Sequence, residues 1–109
     1  MKDIYNYIDE NIEEYISDLQ ELIRKPSVSA QNIGLEECAE FVKSQMHKDG
    51  LPAELHEIPG GPPLVFGHLK SSLSKKTLFC YSHYDVQPPE PIEKWSHGGP
   101  WSGALVDNV

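Results

Sequence analysis

The sequence contains little cysteine and little positive charge, and both shortages exclude classes of protein. Only two of its 109 residues are cysteine, Cys38 and Cys80, which is too few for a disulfide framework. Nine Lys and Arg residues against 17 Asp and Glu residues leave a formal net charge of −8. Proteins that bind nucleic acids carry clustered Lys and Arg residues, whereas this chain is negatively charged, so we expect no nucleic-acid partner. The chain also has no repeat and no low-complexity segment.

Long hydrophobic runs are missing as well. No stretch approaches the roughly 18 apolar residues of a membrane span, and residues 1–5 lack the apolar segment of a secretory signal. We therefore expect no membrane partner and a cytoplasmic protein, in which a reducing environment keeps both cysteines as buried thiols. A length of 109 residues fits one small domain.

The first half of the chain has helical periodicity. Over residues 4–23 apolar side chains recur every three or four positions, which predicts one long helix that buries an apolar stripe and ends before Pro26. The same spacing predicts a second helix over residues 35–48, with Gly50 as its left-handed C-cap. The apolar residues that define the two helices are Ile4, Ile8, Ile12, Ile16, Leu19 and Ile23, then Leu35, Ala39, Val42 and Met46.

The second half reads as strands and turns. Residues 53–58 predict an edge strand, residues 64–69 a second strand, and residues 77–81 a third and most buried one. Helices followed by strands predict an α/β layered fold. A further strand over residues 104–109 is cut short, and one sheet face is left poorly covered. We therefore expect the front part of a longer polypeptide.

The most informative segment is Tyr-Ser-His-Tyr-Asp-Val-Gln-Pro-Pro at residues 81–89. It places His83 and Asp85 two positions apart, directly after the third predicted strand. Side chains at i and i+2 of an extended segment share a face, roughly 7 Å apart. An imidazole can bind a metal ion there while the carboxylate supports it. Pro88 and Pro89 lack a backbone N–H, so the chain must leave the sheet at this point. The end of a strand is where open α/β sheets bind ligands, so we predict a metal site there.

On these residues the chain resembles the dinuclear zinc metallopeptidases that include aminoacylase, glutamate carboxypeptidase, succinyl-diaminopimelate desuccinylase and the carnosine-type dipeptidases. His-Tyr-Asp-Val-Gln-Pro at residues 83–88 carries the resemblance. Arg-Lys-Pro-Ser-Val-Ser at residues 24–29 is similar to the family's PSVS turn, and Trp95 with Gly-Pro-Trp-Ser-Gly at residues 99–103 fits in order. The motif is most similar to the dipeptidase branch.

The resemblance implies a fold, a cofactor and two site residues. Residues 1–109 would be the N-terminal portion of a metallopeptidase catalytic domain, with two helices and then a mixed β-sheet, incomplete as given. His83 matches the first zinc ligand, and Asp85 matches the catalytic-site carboxylate that supports this ligand. The implied cofactor is Zn²⁺, two ions per complete site, with Mn²⁺ or Co²⁺ as alternatives. The remaining ligands and the general base would lie beyond residue 109.

The implied activity is hydrolysis of dipeptides or short peptides by metal-activated water, as a dipeptidase or carboxypeptidase. One imidazole cannot hold a catalytic zinc, which normally has three protein ligands, so the 109-residue chain alone is expected to be inactive. The complete protein is expected to bind short peptides and to form a homodimer. Two alternatives stay open. One is an amidohydrolase acting on N-acyl amino acids, such as a deacylase or desuccinylase; the other is a non-catalytic fragment or interaction module.

Overall fold

The computed structural model describes residues 1–107, which form three α-helices and one pair of β-strands joined by turns and short 3₁₀ segments. The chain divides into two compact units, one of Met1–Lys25 with the segment that begins at Pro89, the other of Pro26–Pro88. The α/β class predicted from the sequence is confirmed. The elements are α1 Lys2–Glu10, α2 Ile12–Ile23, α3 Leu35–Lys48, β1 Ala53–His56 and β2 Leu64–Gly67.

The first unit contains α1 and α2, where the sequence predicted one continuous helix. The two helices are separated at Asn11, whose Nδ2 donates a 2.7 Å hydrogen bond to the carbonyl oxygen of Tyr7. That oxygen would otherwise accept the Asn11 backbone N–H, which bonds to Ile8 at 3.1 Å instead. An asparagine side chain competes in this way with the helix ladder. Helical periodicity alone does not show such a break.

Two further predictions for the first unit are wrong. The apolar stripe of α1 and α2 is largely exposed, because within residues 1–107 no layer of the unit covers it. Residues 104–107 form no strand, since no neighbouring strand pairs with them, and residues 108 and 109 lie outside the described residues. The unit does have one long-range tie: Gln20 Nε2 donates a 2.6 Å hydrogen bond to the carbonyl oxygen of Gly103.

The core of the second unit lies between α3 and the β1–β2 hairpin. The strands pair antiparallel, with Ala53 opposite Gly67. The sequence predicted both strands but not their pairing. Gly67 lies under the helix, since an added Cβ would meet Met46 Cε at 2.5 Å. Gly50 has φ of 78°, which confirms the predicted left-handed C-cap. The buried apolar residues are Val28, Leu35, Cys38, Ala39 and Ala53.

The third predicted strand is absent, although its sequence has strong strand propensity. Residues 77–81 are paired with no strand among the described residues, and Leu78, Phe79 and Tyr81 are 87%, 78% and 79% exposed. Cys80 is exposed as well, whereas Cys38 is buried. A strand requires a hydrogen-bonded neighbour, and the only sheet formed by residues 1–107 is the β1–β2 pair. Among the same residues, no helix combines the length and apolar character that membrane crossing requires.

Candidate metal centre

His83 and Asp85 form a close pair in the second unit. His83 Nδ1 lies 3.2 Å from Asp85 Oδ1 and 3.0 Å from the Asp85 carbonyl oxygen. Both oxygens are acceptors, so the neutral ring carries its hydrogen on Nδ1 and leaves the Nε2 lone pair available. The His83 side chain is 73% exposed, while that of Asp85 is 34% exposed. The ring is therefore accessible, and its orientation suits a metal ligand supported by a carboxylate.

The second oxygen of the Asp85 carboxylate has a different partner. Ser29 Oγ donates a 2.6 Å hydrogen bond to Asp85 Oδ2. This bond is the main cause that lowers the pKa of Asp85 below its ordinary value; His83 acts in the same direction, and partial desolvation opposes both. The carboxylate is therefore ionised near neutral pH and accepts hydrogen bonds at both oxygens.

The backbone around the pair is held by three further hydrogen bonds. Ser27 Oγ donates to the Tyr84 carbonyl oxygen at 2.7 Å, and the Val86 N–H donates to the Ser27 carbonyl oxygen at 2.9 Å. Tyr84 Oη donates to the Pro63 carbonyl oxygen at 2.7 Å. Burial raises the pKa of Tyr84, and nearby Cys38 and Asp85 add to this effect. The phenol therefore stays protonated and keeps its role as a donor.

Ser29, in the PSVS turn, is the residue of the candidate site that sequence reasoning missed, because only its hydroxyl reaches the Asp85 carboxylate. That turn supported the family resemblance, but neither Ser27 nor Ser29 was assigned a role. In the structure Val28 forms a parallel bridge with Val86, which brings the turn alongside the His83–Asp85 segment. The PSVS motif and the His-x-Asp motif were both visible in the sequence. Their contact was not, because some 56 positions separate Ser29 from Asp85.

The His83–Asp85 pair meets part of the requirements of a zinc site. A neutral imidazole with an exposed Nε2 is a common zinc ligand, and its Nδ1–H has the carboxylate partner that such ligands favour. Residues 1–107 contain no group of three or more His, Cys, Asp or Glu side chains close enough to hold a metal ion. An open hollow at the start of α3, lined by residues that include Asn32, Gly34 and Glu36, does not include His83 or Asp85.

Two further histidines and one tryptophan have partners within their own units. His47 Nε2 lies 2.8 Å from the carbonyl oxygen of Ala53, and the His56 ring packs edge to face on Phe66. In the first unit, Trp95 Nε1 donates a 2.6 Å hydrogen bond to the Pro89 carbonyl oxygen, which anchors the ring to its own loop. Neither His47 nor His56 contacts His83 through these interactions.

The chain is similar to a metallodipeptidase and to a desuccinylase. It is 34% identical over 105 residues to the Cys-Gly metallodipeptidase dug1 of Schizosaccharomyces pombe. This alignment covers 85% of this chain and 22% of the relative. It is 31% identical over 90 residues to the succinyl-diaminopimelate desuccinylase of Methylorubrum extorquens, covering 81% of this chain and 22% of the relative. No protein-family profile matches the chain.

The fold has a counterpart among solved structures. An M20 family metallo-carboxypeptidase from Sulfolobus solfataricus aligns with a TM-score of 0.76 and 38% identity, over 82% of this chain and 20% of that one. The chain thus spans about a fifth of the length of the relatives that it matches, 22% and 20% in the cases above. The names of the dipeptidase and of the carboxypeptidase both describe metal-dependent peptidases.

Proposed function

Since the chain belongs, over the part that it shares with these relatives, to the M20 metallopeptidase family, we propose that it is the N-terminal portion of the catalytic domain of a zinc-dependent dipeptidase. The observation that carries the proposal is the His83–Asp85 pair, with Nδ1 facing two acceptors of Asp85 and Nε2 left for a metal. The similarity to the Cys-Gly metallodipeptidase favours dipeptides as substrates over other amides.

The residues of this chain supply one ligand and its support. His83 offers Nε2 to the metal, and Asp85 accepts the hydrogen on Nδ1, which fixes the Nδ1–H tautomer of the neutral ring and makes Nε2 a stronger donor to the metal. When bound, zinc supplies a Lewis acid that activates water and polarises the substrate carbonyl. A catalytic zinc takes about three protein ligands, and residues 1–107 do not bring three together. The proposal therefore places the other ligands and the general base in a part of the protein outside this sequence.

A second activity is favoured by one specific observation. The chain is 31% identical to the succinyl-diaminopimelate desuccinylase, so an amidohydrolase acting on N-acyl amino acids is our alternative. Both reactions cleave an amide bond, and the His83–Asp85 pair would serve either equally. Zinc as the metal, the cytoplasm as the compartment and a homodimer as the assembly are part of the same proposal. Two cysteines outside any disulfide, Cys38 and Cys80, agree with a reducing compartment.

Activity of the complete protein tests the proposal. We expect the zinc-loaded protein to hydrolyse dipeptides such as Cys-Gly faster than N-succinyl or N-acetyl amino acids, measured as kcat/KM. Activity confined to the acylated substrates would select the amidohydrolase instead. A zinc-binding protein with no activity on either set would support a non-catalytic role and contradict the proposal.

Zinc binding tests the ligand role of His83 separately. We expect His83→Ala to abolish specific zinc binding at one site of the complete protein, measured by calorimetry, because the imidazole is removed. His47→Ala is the matched control, since His47 contacts the Ala53 carbonyl oxygen and not the pair. Equal zinc stoichiometry in the two variants would exclude His83 as a ligand.

A further inference from the structure

The Asp85 carboxylate is shared between two residues that lie far apart in the sequence. Oδ1 faces His83 Nδ1 at 3.2 Å, and Oδ2 accepts the Ser29 hydroxyl at 2.6 Å. With a partner on each oxygen, rotation about the bond between Cβ and the carboxyl carbon would break both contacts. The orientation of the carboxylate therefore depends on Ser29 as well as on His83.

The Ser29 hydroxyl is itself held by a rigid piece of backbone. Val28, next to it, is only 1% exposed and exchanges two hydrogen bonds with Ile33, of 2.9 and 3.1 Å. Val28 also bridges to Val86, one residue after Asp85. Ser29 then begins a 3₁₀ turn of three residues, Ser29–Gln31. These contacts fix the position of the Ser29 hydroxyl relative to the Asp85 carboxylate.

We propose that Ser29 is a positioning residue for the metal centre: its hydroxyl holds the Asp85 carboxylate in the orientation that accepts the His83 Nδ1 hydrogen. This inference rests on the proposed function. Ser29 touches neither metal nor substrate; it acts through Asp85, which in turn fixes the tautomer and direction of the His83 ring. Residues that contact the ligands of a metal rather than the metal itself typically contribute about 10- to 100-fold to metal affinity or activity.

Ser27 provides a matched control inside the same turn. Its hydroxyl also donates a 2.7 Å hydrogen bond to the motif, but to the Tyr84 carbonyl oxygen and not to the carboxylate. Ser27→Ala and Ser29→Ala therefore each remove one hydroxyl and one hydrogen bond between the same two segments. Only Ser29→Ala removes a partner of Asp85. Ser29→Thr keeps a hydroxyl at the position and is the rescue variant.

The first measurement is the zinc dissociation constant of the complete protein, determined by competition with a chromophoric chelator. We expect Ser29→Ala to raise it by about tenfold, as loss of an outer partner does. Ser29→Thr should restore the wild-type value, and Ser27→Ala should leave it unchanged. Wild-type zinc affinity in Ser29→Ala, or an equal loss in Ser27→Ala, would overturn the inference.

The second measurement needs no metal. In protein labelled with ¹⁵N-histidine and stripped of metal, the imidazole ¹⁵N shifts of His83, assigned from the His83→Ala spectrum, report the tautomer. We expect the Nδ1–H form in the wild type and in Ser29→Thr, and a mixture of the two tautomers in Ser29→Ala. An unchanged tautomer in Ser29→Ala would overturn the inference even if zinc binding fell. If the wild type binds no zinc, the proposed function fails, while these shifts still decide whether Ser29 orients the pair.

Discussion

The hydroxyl of Tyr84 donates a 2.7 Å hydrogen bond to the carbonyl oxygen of Pro63, and so ties the residue between His83 and Asp85 to the loop that precedes β2. The phenol is partly buried, and burial raises its pKa, so it remains a donor throughout the neutral range. The hairpin and the His-x-Asp segment are thereby connected within the second unit. The bond is expected to limit the motion of the motif backbone.

Tyr84→Phe is expected to loosen this segment without unfolding the unit. The substitution removes one hydrogen bond and leaves a carbonyl oxygen without its donor, which costs about 1 kcal/mol. Amide hydrogen exchange at Val86, whose N–H bonds to Ser27, should become faster by the corresponding factor of about five. Tyr81→Phe is the control, because Tyr81 is 79% exposed. Equal exchange rates in the two variants would show that the Tyr84 bond does not restrain the motif.

Gly34→Ala is expected to be among the more damaging small substitutions in the second unit. Gly34 has φ of 68°, and an added Cβ would overlap the carbonyl oxygen of Pro26, at the start of the PSVS turn. Strain and overlap together should cost roughly 2 kcal/mol or more, seen as faster hydrogen exchange at the Val28 amide.

Gly50→Ala separates the effect of backbone strain from the effect of steric overlap. Gly50 has a similar φ of 78°, but nothing lies within 4 Å of an added Cβ. It should therefore show only the backbone penalty, about 1 kcal/mol. If Gly34→Ala were no more destabilising than Gly50→Ala, the close approach of Pro26 to Gly34 would be wrong.

Asn11→Ala is expected to join α1 and α2. The change removes the hydrogen bond from Nδ2 to Tyr7 and introduces the residue with the best helix propensity. Helical Cα chemical shifts should then run without interruption from residue 9 to residue 13, and helicity by circular dichroism should rise. Asn6→Ala is the control, because it also raises helix propensity but lies inside α1, away from the break at Asn11. An interrupted run of shifts in Asn11→Ala would assign the break to a cause other than the Asn11 side chain.

Asp85→Asn is expected to separate metal retention from turnover in the complete protein. The amide keeps an oxygen that can accept the His83 Nδ1 hydrogen, but it loses the negative charge that makes Nε2 more basic. We expect zinc content by atomic absorption to stay near that of the wild type and kcat to fall by about 10- to 100-fold. Asp49→Asn, at the end of α3, controls for the loss of one charge. A near-normal kcat would show that the carboxylate is dispensable.

Helix α3 and the strands β1 and β2 could be predicted from the sequence because their signals are local. Apolar spacing predicted α3 from Leu35 to Lys48, Gly50 predicted its end, and residues 53–58 and 64–69 predicted the two strands. The break at Asn11 is local too, but helical spacing continues across it, and only the hydrogen bond to Tyr7 reveals it. The strand predicted over residues 77–81 failed for a different reason, since strand propensity forms no strand without a partner.

The sequence by itself placed the two proposed site residues, His83 and Asp85, two positions apart, and any extended conformation keeps them on one face. Only the tertiary structure decided what holds them. The contact between Ser29 and Asp85 spans some 56 positions, and it exists because buried Val28 draws the PSVS turn against Val86. Packing selects such distant pairs after the chain has closed a long loop, and no periodicity within either segment specifies them.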